Sequence, residues 1–529
     1  MSPSHPLDIP EILARIGLFL PLWVDTFSRP FSEQLTRFEP HTLLACASVS
    51  KTWRQAFLPL LWHRYDCIIM KSLPQETVAH NSPHFRVLQI YGNDVTAFQC
   101  ADLVDLTIRG APMQMLLGIV AAARSSRTGS RAGAGSEVGG GIALSPQQQL
   151  VRSNLYLQSL FWHGPTPQKP LDVDDFTGLK YIQTLKFSNW LCYPETMVEL
   201  LSLVSGTLRE LKLDRINGLH PLSSEDLSDF TERLSVLFTT QLGNNGGTNN
   251  YSNSNSNSNN GKLVLPRLTN LVSTCDNAVS LFLADLVKCC PRLRSLGVYL
   301  ADNNGTTRLA DNLRAHCQEL QELKLSPVVT FRRIDALIRQ SSTAGLRKLT
   351  VEVSGPDEDL ITAIMQHAGT LEDLAIKRSV GDMDICRYFC LLEECSNLES
   401  FSLSATAVTL DNEFLDTLKN NDGGGGCSYG WKCHRRLRKL VLNPRLYLGV
   451  GERLKADREL LKGMSDSVSA MGWYRPRQQD PRQEFQGEKI NPTMVRKTFE
   501  LVQGVENLET LILDTVVFRS TPTAFRLDQ

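Results

Sequence analysis

A short apolar spacing, LxxLxL or a close variant, returns through the second half of the chain at nearly constant distance. Counted from the first apolar residue of each copy, it starts at Leu268, Leu293, Leu320, Leu346, Leu371 and Leu398, in steps of 25, 27, 26, 25 and 27 residues. One copy would mean little; the even step is what chance does not supply. In LQELKL, Leu320 leads into a short strand whose Leu323 and Leu325 share one face, while Glu322, Lys324 and Ser326 point to the other. Between copies the apolar period changes from two to 3.6. Val279, Phe282, Leu283, Leu286 and Val287 make a helical stripe within 277–289. Leu360, Ile361, Ile364 and Met365 make another within 359–368, and Gly369 follows as a stop. Each unit reads as strand, turn, helix and return.

A period in the middle twenties built of one strand and one helix is the signature of a leucine-rich-repeat solenoid, so the predicted fold class is α/β. Further copies at Leu157, Ile182, Leu208, Leu437 and Leu508, and weaker strand signals from Phe85 and Leu103, extend the predicted solenoid over 80–520. Polar, glycine-rich or irregular stretches at 124–150, 243–261, 420–430 and 444–492 read as insertions with little to bury. A longer helix is expected at 224–238. A single repeat cannot bury its apolar face alone, so stacking supplies the core and the two ends need caps. The N-terminal block and the tail from Phe518 are the segments placed to provide them.

Residues 5–66 have a different pattern, with no strand period. Pro10 suits the first turn of a helix with Asp8 ahead of it as a cap, and Ile12, Leu13, Ile16 and Leu20 form a stripe. Leu43, Leu44, Ala47, Ser48 and Val49 form a second, and Trp53, Phe57, Leu61 and Trp62 follow. Leu7, Pro10, Glu11, Ile12, Leu43, Leu44, Val49, Ser50, Lys51, Trp53, Arg54 and the trailing Trp62 together resemble an F-box. The block departs from that pattern by one extra residue between Leu7 and Pro10 and by a long connection over 21–40. Cys290, Cys317 and Cys395, each three residues before a leading leucine, are similar to the cysteine-containing repeats common in F-box proteins.

The resemblance implies a role: a substrate receptor of a Skp, cullin and RING ubiquitin ligase, non-catalytic itself. The F-box would dock the Skp adaptor through Leu7, Pro10, Ile12, Leu44, Val49 and Trp53. The outward strand positions Lys212, Asp214, Tyr299, Lys324, Thr350, Glu352, Lys377 and Asn443 would face a protein substrate. A repeat scaffold with no ligase attached, its helical block serving only as a cap, is the alternative.

Bulk composition narrows the classes without changing this order. The chain has 529 residues with 55 basic and 56 acidic side chains, which argues against a general nucleic-acid or membrane-surface binder. No apolar run approaches the length of a membrane span, and a cytoplasmic or nuclear protein with reduced thiols is expected from 13 cysteines in so long a chain. Cys427, Cys433 and His434 lack a fourth ligand nearby, and the glycine run at Gly423 lacks the lysine and hydroxyl of a phosphate loop. No cofactor or metal is therefore expected. The basic run 432–439 reads as a solvated rim entering a strand, with an acidic-partner patch as the second reading.

Overall fold

The computed structural model describes residues 9–20, 22–26, 35–91, 98–110, 145–164, 169–219, 227–239, 263–274, 279–300, 303–327, 334–353, 358–384, 386–409, 432–433, 435–444, 505, 507–513, 516–521 and 524–527. It divides into two compact units, Met1–Leu222 with Val236–Leu268, and Ser223–Ser235 with Thr269–Gln529.

The first unit opens with three helices, α1 (Pro10–Leu18), α2 (His41–Ala47) and α3 (Lys51–Leu61). Their small core is Leu13, Leu43, Ala47, Phe57 and Leu61. Gly17 lets α1 approach α3, because a Cβ there would collide with Leu60 and come within 2.8 Å of Phe57. The N-cap of α1 is Ile9, not Asp8, and it supplies no side-chain bond; Pro10 at N1 removes one amide that would otherwise need a partner. Ser50 caps α3 by accepting from the Trp53 amide at 3.2 Å. The connection over 21–40 carries an antiparallel pair, β1 (Trp23–Thr26) and β2 (Leu35–Phe38).

Six parallel strands follow in sequence order: β3 (Arg64–Asp66), β4 (Val87–Tyr91), β5 (Asp105–Arg109), β6 (Ser159–His163), β7 (Thr184–Leu191) and β8 (Glu210–Asn217). The sheet thus starts at Arg64, ahead of the boundary at 80. The return segments are α4 (Gln75–Asn81), α5 (Pro146–Ser153), a 3-10 turn (Val173–Phe176) and α6 (Pro194–Val204). The end of the stretch 124–150, expected as an insertion, instead begins α5. Ser145 and Gln148 form a reciprocal capping box, and the helix buries Leu150 and Val151. The core here is aromatic: Trp162 and Trp190 meet edge to face at 5.1 Å, Phe176 meets Phe187 at 5.5 Å, and Trp190 Nε1 donates to the Trp162 carbonyl at 3.1 Å. Trp62 is buried against Phe85, which ties the helical block to the first strands. Helix α7 (Leu227–Thr239) lies where the sequence predicts one.

The second unit alternates β9 (Asn270–Ser273), α8 (Val279–Leu286), β10 (Ser295–Leu300), α9 (Asn303–His316), β11 (Glu322–Pro327), α10 (Ile334–Gln340), β12 (Lys348–Val353), α11 (Glu358–Met365), β13 (Asp373–Asp384), α12 (Cys386–Glu394), β14 (Ser400–Thr409), β15 (Lys439–Pro444) and β16 (Thr510–Leu513). Neighbouring strands pair in parallel and keep register along the leucine row, Leu296, Leu323, Leu349, Leu374, Phe401, Leu440 and Leu511, and β13 shifts register on β14 only beyond Arg378. The leading leucines from Leu293 to Leu437 and the row behind them are fully or almost fully buried. β17 (Val516–Thr521) and β18 (Ala524–Leu527) turn antiparallel on β16 and end the parallel series where the sequence places a cap.

One backbone device recurs at the entries of the parallel strands that follow another within each unit. The carbonyl of the residue before one strand accepts the two amides that open the next: Arg294 and Ser295 donate to Thr269, Gln321 and Glu322 to Arg294, and Arg347 and Lys348 to Gln321. A carbonyl has two lone pairs, so this doubled acceptance satisfies both amides and pins the register of consecutive repeats. The same pattern runs through the first unit from His63 to Gln183. Leucine rows, parallel register and intervening helices make each unit a leucine-rich-repeat solenoid.

Candidate functional site

Because α1 and α2 both pack on α3, each helix of the N-terminal block leaves one side open. Leu13 and Leu43 are buried, whereas their neighbours Ile12 (39% exposed), Leu44 (45%) and Val49 (64%) face outward. Pro10 is exposed on the first turn of α1, and Trp53 is half-buried with its ring 5.5 Å from Phe57. Leu7 lies outside the described residues. The sequence stripe counted Ile16 with the core, yet it stands as open as Ile12, and Leu18 (72%) and Phe19 (87%) extend the apolar surface. Their exposure follows from packing geometry: α1 turns only its Leu13 and Gly17 side to α3.

The β1 and β2 pair carries a feature that no sequence pattern signalled. Trp23 packs on Phe38 at 5.0 Å, and the Arg64 guanidinium lies 4.5 Å from the Trp23 ring. A segment inserted between two helices is thereby anchored on the first strand of the sheet.

On the strand face of the first unit, three lateral rows point outward. Asp105, Ser159, Thr184 and Glu210 form the first; Thr107, Phe161, Lys186 and Lys212 the second; His163, Ser188 and Asp214 are neighbours in the third, and Arg109 ends β5 beside Tyr91. Lys212 and Asp214, expected to face outward, do so two positions apart on β8. Lys186 bonds Glu210 at 2.9 Å, and Ser188 Oγ donates to Asp214 at 2.8 Å. Burial pushes the Asp105 carboxyl up, opposed by the Ser159 hydrogen bond and by Lys186 and Arg64. His163 is held below its ordinary value by burial and then by Arg215. The types Ser, His and Asp stand side by side, but Ser188 is central and commits its proton to the carboxylate, and it is almost fully buried. That order leaves the imidazole without the carboxylate that orients a general base.

Just past this row the backbone is strained. Asn189 has φ 62° and Arg215 φ 48°, and each is skipped by the ladder, which passes from Ser188 and Asp214 to Trp190 and Ile216. The two bulges lie on adjacent strands.

In the second unit Tyr299 lies beside Ser326, Lys324 beside Thr350, Glu352 beside Lys377, and the Asn443 position beside Ser404. Lys324 and Lys377 are exposed, while Tyr299, Thr350 and Glu352 are half-buried. Two pairs of the expected outward residues, Lys324 with Thr350 and Glu352 with Lys377, are thus direct cross-strand neighbours. Another row alternates in sign, with Glu322, Lys348 and Asp373 in register. At strand entry, Arg294 meets Glu319 at 3.1 Å and Arg347 meets Glu372 at 3.5 Å. The basic run is part of the same rim: Lys432 bonds Glu394 at 2.7 Å, and Arg435, Arg436, Arg438 and Lys439 are exposed.

The repeated cysteines sit at the corner between helix and strand, where Cys317 Sγ donates to Val287 at 3.4 Å and Cys433 Sγ to Leu392 at 3.3 Å. Burial pushes the thiols of Cys317, Cys395 and Cys433 up to about 12, so they stay protonated donors rather than thiolate ligands. His367 and Asn154 serve the same corner in other repeats. His367 Nε2 meets the Ile338 carbonyl at 2.9 Å and its Nδ1 accepts from Leu346 at 3.2 Å. Asn154 accepts from Leu103 at 3.0 Å and donates to Leu150 at 2.8 Å. Sequence reading found the cysteines by their spacing and missed these two, because three residue types share one job. Among the described residues no group of His, Cys, Asp and Glu is placed to hold a metal ion, and no helix is long and apolar enough to cross a membrane.

No family model matches the chain. No curated protein matches it either. Among solved structures it is similar to an internalin from Listeria monocytogenes, at 17% identity over 58% of this chain and 79% of that one, with a TM-score of 0.25. The leucine-rich-repeat fold is carried by this chain's own buried leucine rows and parallel register, and a fold of this kind offers its open strand face to protein partners.

Proposed function

We propose that this protein is the substrate receptor of a Skp, cullin and RING ubiquitin ligase, working in the cytoplasm or nucleus. The observation that carries the reading is the apolar surface of the helical block: Ile12, Leu44 and Val49 stand exposed although the helices have buried neighbours available. Several large apolar side chains left exposed on so small a helical block favour a binding surface. These are also the positions at which the F-box resemblance puts adaptor contacts. The repeats then hold the protein to be modified, and no bond is made or broken by this chain.

Co-purification with the Skp adaptor tests the proposal. Wild type is expected to retain the adaptor. Leu44→Asp with Val49→Asp is expected to lose it by more than tenfold while the thermal transition moves little, since both side chains are already exposed. If wild type captures no adaptor, the ligase reading fails and a repeat scaffold capped by three helices takes its place.

A further inference from the structure

We infer that the strand face of β5 to β8 in the first unit binds an extended acidic segment of a partner protein. Arg109 and Lys212 each take one carboxylate, and an apolar side chain lies between them over Phe161. The inference deepens the substrate-receptor reading and rests on it for the role of the bound protein.

The charge balance of the face carries it. Its carboxylates are all engaged: Asp105 by Ser159, Glu210 by Lys186 at 2.9 Å, and Asp214 by Ser188 at 2.8 Å and Arg215 at 3.4 Å. Among the described residues Arg109 and Lys212 have no acidic partner. The Arg109 guanidinium lies 5.6 Å from the Tyr91 ring, and its Nε is buried with no acceptor. An incoming carboxylate would meet the half-buried guanidinium through its terminal nitrogens, a charge-assisted contact. In the second unit, by contrast, opposite charges stand in register at Glu322, Lys348 and Asp373, and at Glu352 and Lys377.

Geometry sets the spacing of the ligand. Arg109 on β5 and Lys212 on β8 are three strand steps apart across the sheet and two residues apart along it, which is roughly 16 Å. An extended chain advances about 3.3 Å per residue, so acidic side chains at positions i and i+4, about 13 Å apart, share one face and come within reach of the two long cationic side chains. The side chain at i+2 then lies between β6 and β7, beside Phe161 of the second row, which is half-buried and aromatic. The partner segment has the form acidic, any, apolar, any, acidic.

The test is fluorescence anisotropy on the full chain with a labelled peptide, Gly-Ser-Glu-Thr-Leu-Thr-Glu-Ser-Gly. Binding is expected to be saturable and to weaken with salt. Arg109→Glu and Lys212→Glu are each expected to weaken it at least tenfold, the milder Arg109→Gln and Lys212→Gln severalfold, and Lys348→Glu in the second unit, at an exposed position outside the proposed face, not at all. Thermal unfolding of each variant checks that the fold persists, and the glutamine variants keep the test informative should charge reversal unfold the face. The inference is overturned if wild type binds no peptide, if both glutamine variants bind as wild type does, or if a peptide with lysine in place of glutamate binds equally well. Adaptor capture is read in parallel. Val49→Asp should lose adaptor and keep peptide; a wild type that binds peptide but no adaptor upholds the acidic-segment site and removes only the ligase reading.

Discussion

His367 shows how much one buried side chain can tie together. Its two ring nitrogens meet an amide of one repeat and a carbonyl of another, which requires the neutral ring with Nδ1 as acceptor. Burial holds its pKa below 6.5, opposed by the Ile338 carbonyl. The contribution is therefore full above about 6.5 and is lost as the pH falls from there through the folded-state value, because the unfolded chain binds the proton more readily. Denaturant unfolding of wild type and His367→Leu at a series of pH values checks this: the variant is expected to lose about 1–3 kcal/mol at neutral pH, from the orphaned Leu346 amide, and the difference should shrink in acid. Gly17 gives a second test at this scale. Gly17→Val drives a side chain into Leu60 and Phe57 and is expected to destabilise the helical block by about 1–3 kcal/mol, read by chemical denaturation.

Elements are held to one another by a few specific bonds laid over a general apolar seam. Asp285 on α8 is almost fully buried and is bonded by Arg308 of α9 at 2.7 Å and by Lys288 at 2.8 Å. Arg308→Met leaves the carboxylate with Lys288 alone and is expected to cost about 2 kcal/mol, seen as a lowered unfolding midpoint with an unchanged denaturant slope. No sequence pattern signals this pair, since a mid-helix aspartate and an arginine 23 residues on share no period. Strands were far more legible. Their period of two places Leu323 and Leu325 inward without reference to anything outside the segment. Helices such as α8 and α11 were equally readable from their stripes. The hairpin of β1 and β2 was not, because its strands are four residues each and its anchor, Trp23 on Arg64, joins residues 41 positions apart.

For each unit taken as a whole, stability is a sum over neighbours, so damage at an edge should spread inward. The hairpin of β17 and β18 covers the last parallel strand, and deleting 514–529 is expected to bare the β16 edge. Light scattering of the truncated protein should report association that the full chain lacks, together with a lower unfolding temperature. The functional surfaces belong to this scale as well. The proposed adaptor surface at Ile12, Leu44 and Val49 and the proposed acidic-segment site at Arg109 and Lys212 both depend on which side chains the folded unit leaves open, a property of no single segment.

The sequence by itself determined the repeat, its register and the leucines that would be buried, because those follow from periods of two and 3.6 that each segment carries locally. It also marked the outward positions, Lys212 and Asp214 among them, since facing outward is the complement of facing in. Only the tertiary structure decided which of those positions stand next to each other, which carboxylates are already taken, and which apolar side chains of the N-terminal helices remain open. The physical reason is that partnership is a matter of distance between residues remote in the chain: Lys186 and Glu210 are 2.9 Å apart, and among the described residues Arg109 has no such neighbour, a difference that no spacing along the sequence records.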